Sequence, residues 1–330
     1  MVDLEALKRQ VKLNCNISDA RYWGFYSICG LLMRLRSLYR SEKGMKPWES
    51  IPMEDIGPWI EEREALWREL ETEDFKPIEL MGEVFNPFSF DSINAIIEGE
   101  GLIYGSGYGV HRKPTFFLAE LDHKEEILDF IVYYLGREHC RDLFCSPAML
   151  QGRCIFLRRE TALGFLWERL MEVQGRSYIK LQILGLEPEE LKNPLSEATT
   201  KTLEALADKL AKLLLLHEIG EVKEDDAPDE WLRLIAKETD RKEELYLRAV
   251  KDIIADTSEP GPLKRAIEDE DTQLLCLYIL SLDPMRRELF PEVIDFYKKD
   301  PFNPDWDAIK KKKKKVYDRF KSIYMKKLRG

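Results

Sequence analysis

Apolar runs long enough to cross a bilayer are missing from this chain. The longest candidates, such as Leu274 to Leu280, fall far short of the roughly 20 residues a spanning helix needs. A signal peptide is not predicted either, because Met1-Val2-Asp3-Leu4-Glu5 is acidic where such a segment is basic, and no apolar core follows. Cysteine is sparse. Six residues, at 15, 29, 140, 145, 154 and 276, are too scattered for a disulfide framework, and none forms a C-x-x-C pair. Reduced, small buried thiols are expected, with iron-sulfur or zinc ligation left to a fold that gathers them. These absences together predict a soluble, cytoplasmic protein. Internal repeats are lacking too, and the one low-complexity tract is the lysine run Lys310 to Lys315.

What is present is charge and helical periodicity. The 330 residues carry a formal net charge of −10, but residues 310–330 hold eleven Lys or Arg against the single acid Asp318, so that segment is strongly basic and the remainder strongly acidic. An acidic body repels nucleic acid and anionic membrane, which leaves the tail as the place for any such contact. Helical spacing is read over Ser18 (as N-cap) to Arg40, Trp59–Leu70, Glu125–Leu135, Arg159–Val173, Ala198–His217, Lys242–Asp256, Thr272–Leu282 and Ile309–Leu328. No alternating strand-helix pattern is visible. The fold class predicted is therefore mostly α: two helical domains or bundles with one small β-hairpin at 101–118, where aromatic and aliphatic runs flank a glycine-rich turn. The Pro- and Asn-bearing stretch Gly185–Thr200 places the boundary, giving an N-terminal domain 1–190, a bundle 196–308 and a basic amphipathic helix 309–330.

Three constellations carry possible chemistry. In the first, Leu206, Leu210 and Leu213 form a helical stripe that continues into His217 and Glu221, with Glu218 on the adjacent row. On the next strong helix, Leu245 and Ala249 are followed on one face by Asp252 and Asp256. Two such helices facing each other would place one imidazole and up to four carboxylates in a bundle interior, where a divalent cation (Mg, Mn, Fe or Zn) is the usual counter-charge. The competing reading makes Gly220 the residue that ends the helix after Ile219, with His217 complementing the helix dipole. The second constellation is the glycine turn, Gly105, Gly107 and Gly109 followed by His111, Arg112 and Lys113. Its bare amides and basic side chains suit an anion, although a tight hairpin needs glycine on its own account. The third is Arg137 to Asp142 with Cys145, where Cys145 with His139 or His111 would be needed for thiol catalysis.

The helix pair resembles the all-α nucleoside triphosphate pyrophosphohydrolases, in which an E-E-x-x-E helix and an E-x-x-D helix hold magnesium. Glu218 and Glu221 match the first pattern, His217 stands in place of its leading glutamate, and Asp252 and Asp256 are spaced by four where the pattern has three. Over most of its length, through Asn14-Cys15-Asn16-Ile17-Ser18-Asp19-Ala20, Arg141-Asp142-Leu143, Pro147-Ala148, His217 to Glu221 and Ala255-Asp256-Thr257, the chain resembles an uncharacterised family of hypothetical proteins from anaerobic prokaryotes. That resemblance implies no activity. Two functions are expected from the residues. One is an interaction or assembly protein that meets a protein or anionic partner through residues 309–330, unless that helix docks on its own acidic body. The other is a metal-dependent hydrolase of a nucleotide or other phosphorylated substrate, its ion held between the His217 and Asp252 helices.

Overall fold

Asp3 caps the first helix, α1 (Leu4–Tyr22), its carboxylate accepting from the Ala6 amide. Leu7, Val11 and Cys15 recur at helical spacing and are buried. The expected N-cap Ser18 lies inside this helix instead, buried, with its hydroxyl donating to the Pro114 carbonyl. The computed structural model describes residues 2–109, 112–144, 146–173, 178–192 and 194–329. It divides into two compact units, Met1–Phe165 and Leu166–Gly330. The Gly185–Thr200 stretch lies within the second.

In the first unit, α1 is followed by α2 (Ile28–Lys43), α3 (Met53–Leu70), a two-stranded sheet β1 (Ile78–Leu80) and β2 (Glu83–Phe85), and α4 (Phe90–Ile97). Five further strands then form one mixed sheet: β3 (Leu102–Tyr108), β4 (Pro114–Ile127), β5 (Phe130–Arg141), β6 (Ala148–Gln151) and β7 (Cys154–Arg158). Their order is β3-β4-β5-β7-β6, antiparallel except for the parallel β5–β7 pair. This corrects the expectation of an all-α protein with a single small hairpin. The β3–β4 hairpin exists, with Tyr108 opposite Pro114, but it is only the first edge of a larger sheet.

Two physical features hid the sheet. Phe116, Phe117, Leu118 and Ala119 are all fully buried. Helices cover one face of the sheet and a second apolar cluster lies on the other, so the strand reads as a continuous apolar run without alternation. The Glu125–Leu135 stretch, expected as a helix, is instead the end of β4, a two-residue turn and the start of β5. Leu128 adopts φ 56° there, a left-handed conformation rare for a branched side chain, and Ile127 pairs with Phe130 across it. The run Ile131-Val132-Tyr133-Tyr134, rich in β-branched and aromatic residues, was the strand signal.

The second unit contains no strand among the described residues. After α5 (Arg159–Val173) come α6 (Tyr178–Ile183), α7 (Glu197–Lys223), α8 (Pro228–Lys237), α9 (Arg241–Thr257), α10 (Pro262–Glu268), α11 (Thr272–Ser281), α12 (Pro284–Leu289), α13 (Pro291–Lys299) and α14 (Trp306–Leu328). Helix α14 lies on its own unit. Ile309, Val316, Phe320 and Tyr324 are buried, with the Tyr324 ring 4.5 Å from that of Trp231. Charged contacts flank this stripe: Lys313 to Glu259 at 3.4 Å, Lys321 to Asp226 at 3.0 Å, Lys327 to Glu243 at 2.7 Å, and the Tyr317 hydroxyl to Glu224 at 2.6 Å. No described helix is long and apolar enough to cross a membrane.

Candidate metal centre

The C-terminal turns of α7 and α9 run antiparallel and in contact, and glycine makes the approach possible. A Cβ on Gly220 would stand 2.7 Å from the Ala255 carbonyl oxygen of α9, and one on Gly261 would stand 2.2 Å from the same atom. Gly220 therefore does not end α7. The helix continues through it to Lys223, so Glu221 remains in register one turn beyond His217. At this crossing His217 Nδ1 lies 2.8 Å from Asp256 Oδ1, and His217 Nε2 lies 3.7 Å from Glu221 Oε1. One ligand atom each from His217, Glu221 and Asp252 lies within 4.8 Å of the other two.

Asp256 is the buried hub. Its second oxygen accepts from the Tyr278 hydroxyl at 3.0 Å and from Arg286 at 3.2 Å, while Arg286 Nε reaches Asp283 at 2.8 Å and stands 3.8 Å from Asp252. Burial alone would raise the Asp256 carboxyl, but His217 and Arg286 hold it below its ordinary value. For His217 the balance is similar: burial favours the neutral ring, yet Asp256 and Glu221 push its pKa up to about 10. Burial raises Asp252 to about 7 against the pull of Arg286, and burial with Glu221 raises Glu218 to about 8. The outer side chains keep some access to solvent: His217 is 15% exposed and Glu221 25%, against 2% for Asp256. A hydrogen-bonded inner wall thus carries an open rim of imidazole and carboxylates.

His217, Glu218, Glu221, Asp252 and Asp256 are legible in the sequence as polar continuations of two helical faces. Arg286 and Tyr278 were missed because they arrive on α12 and α11. Arg286 follows an Asp283-Pro284 helix start, where an arginine looks like ordinary surface.

The glycine-turn residues lie in and beside β3. Gly105 and Gly107 sit within β3, opposite Phe117 and Thr115, and a Cβ on either would lie 2.1 Å from the side chain of Phe117 or Gln151. Gly109 meets Phe144 in the same way. Arg112 is exposed with φ 54°, whereas Lys113 is buried between Asp19 at 3.1 Å and Asp142 at 3.3 Å. His111 and Cys145 lie outside the described residues. Cys15, Cys140, Cys154 and Cys276 are buried free thiols and Cys29 is exposed.

Comparison with known proteins gives two adjoining matches. The model of the N-terminal domain of a family of unknown function (DUF6866) matches residues 6–158, and that of its C-terminal domain matches residues 164–329. No curated protein and no solved structure matches the chain.

Proposed function

The chain belongs to the DUF6866 family of unknown function, and from its own residues we propose that the second unit is a divalent-metal centre with hydrolase chemistry toward a nucleotide or other phosphorylated substrate. One observation supports this above the rest: an imidazole nitrogen and two carboxylates converge within 4.8 Å, while the other imidazole nitrogen is fixed by a buried carboxylate 2.8 Å away. A ligating histidine is ordinarily oriented by such a partner. Ligand atoms at about 2.1 Å from one ion stand roughly 3–4 Å apart, so the three side chains need to close by about an ångström. One nitrogen with oxygen ligands suits Mn²⁺, Fe²⁺ or Zn²⁺ better than Mg²⁺.

A bound cation would polarise a water molecule and a phosphoryl oxygen. Glu218, beside the triad, is the base we assign. It takes a proton from the water whose oxygen forms the new P–O bond, and the leaving oxygen carries the electron pair of the broken P–O bond and is then protonated. An interaction role through residues 309–330 rests on different residues, the outward lysines of α14.

Elemental analysis of protein purified without chelator tests the centre. Near-stoichiometric metal is expected, reduced in Asp252→Asn and in His217→Ala. Glu218→Gln is expected to keep the metal and lose phosphatase or pyrophosphatase activity. Parent protein that binds neither Mn²⁺ nor Zn²⁺ in calorimetry, and whose melting is indifferent to chelator, refutes the reading.

A further inference from the structure

Helix α14 holds two populations of basic side chain. Lys313, Arg319, Lys321 and Lys327 are paired with Glu259, Glu292, Glu224, Asp226 and Glu243, as are the hydroxyls of Tyr317 and Tyr324 with Glu224 and Asp225. Lys310, Lys311, Lys314 and Lys315 are exposed and have no ion-pair partner among the described residues. They form two adjacent rows, 310/314 and 311/315, the members of each one turn apart, on the exposed side of the helix. Asp307 and Asp318 flank this face at its two ends, both exposed.

Holding four like charges at i, i+4 spacing is unfavourable, since neighbours repel. Asp307 and Asp318 offset part of this at the two ends of the face, while the acids of the packed side are occupied in docking α14. An external polyanion would relieve it. The apolar stripe of α14 is spent on its own unit, so no insertable face is left for a lipid bilayer, which an amphipathic helix needs for stable interfacial binding. Charge density then discriminates among polyanions. From Lys310 to Lys315 the helix advances about 7.5 Å, and duplex nucleic acid presents one charge per roughly 1.7 Å of axis, or about four phosphates over that length.

We propose that the exposed lysine face of α14, Lys310, Lys311, Lys314 and Lys315, docks the phosphate backbone of duplex nucleic acid. The contact is sequence-independent, since lysines on phosphates carry no base information. It does not depend on the metal centre, whose residues are all different.

The test is fluorescence anisotropy of a labelled 20-base-pair DNA duplex titrated with the full chain at 50 and 200 mM salt. Saturable binding is expected, and four phosphate contacts give a slope of about −3.6 in log K against log salt, or roughly a 150-fold loss between those concentrations. A quadruple Lys→Gln variant at 310, 311, 314 and 315 should lose at least tenfold in affinity and melt no lower than the parent, because these exposed side chains make no ion pair among the described residues. Absence of binding at 50 mM salt overturns the proposal, and so does equal binding by the quadruple variant. Capture by phosphatidylserine vesicles with no binding to the duplex also overturns it and assigns the face to membrane surfaces.

Discussion

Replacing Gly220 with alanine sets two forces of similar size against each other. Within a helix interior the change is worth about 1 kcal/mol in favour of alanine. Against this, the new methyl would stand 2.7 Å from the Ala255 carbonyl oxygen, where ordinary contact begins at 3.4 Å, so the helices must part by about 0.7 Å. The obstacle is backbone and cannot rotate away. Overpacking of this kind costs about 1–3 kcal/mol. The net expectation runs from no change to a loss of about 2 kcal/mol, at most about 8 °C in melting temperature for a unit of this size. The centre should suffer more than the fold. Its ligand atoms already spread to 4.8 Å, and further separation is expected to lower Mn²⁺ affinity roughly 10- to 100-fold, as disturbance just outside a coordination shell does. Differential scanning calorimetry and metal titration of Gly220→Ala measure both. A variant that melts about 2–4 °C higher and binds metal as the parent does would show that the close crossing of α7 and α9 has no bearing on the site.

Asp256→Asn should destabilise the protein by about 3–5 kcal/mol in urea, because it strips the buried partner from His217 and Arg286; an unchanged urea midpoint would remove Asp256 from its role as hub. In chelator, His217, with a folded pKa near 10 against an ordinary 6.5, adds stability that is complete below pH 6.5 and lost as the pH rises through 10. Asp252 and Glu218, raised to about 7 and about 8, act in the same direction from about pH 4 upward, so urea midpoints of chelated protein should fall from pH 6 to pH 9 and saturating Mn²⁺ should flatten the trend. Phe320→Ala removes a fully enclosed ring from the α14 stripe and should cost about 3–5 kcal/mol, read by denaturant unfolding; a loss below about 1 kcal/mol would mean that α14 is not docked in solution.

Local patterns carried the second unit further than the first. The helix at Arg159–Val173 and the stripe Ile309, Val316, Phe320 and Tyr324 are visible in sequence because each lies on one continuous element. The same holds for the rows His217/Glu221 and Asp252/Asp256, each on its own helix. Their crossing is not visible, since nothing local says that Gly220 faces Ala255. Arg286 joins from 30 residues beyond Asp256 and Tyr278 from 22. In the first unit the strands buried on both faces have no period-2 signature, and Ser18 mimics a cap because its hydroxyl bonds to a carbonyl 96 residues away.

Helix α1 is fastened to the rest of the first unit at two ranges: Arg63 to Asn16 and Asn14 to Lys76 across 47 and 62 residues, and Cys15 to Phe116, Ser18 to Pro114 and Asp19 to Leu143 across 101, 96 and 124. Closing loops of that length is entropically costly before any contact repays it, and it slows folding. The contacts of α1 to Phe116, Pro114 and Leu143 are therefore expected to form after β4 and β5 have paired, which φ-values near zero at Ser18 and Asp19 would check. Until then Leu7, Val11 and Cys15 face water, and the half-built sheet offers an uncovered apolar face to other chains. Substitutions at Asp19 are then expected to shorten the lifetime of the native first unit and to leave the speed at which it forms nearly unchanged, read from the two arms of a chevron plot.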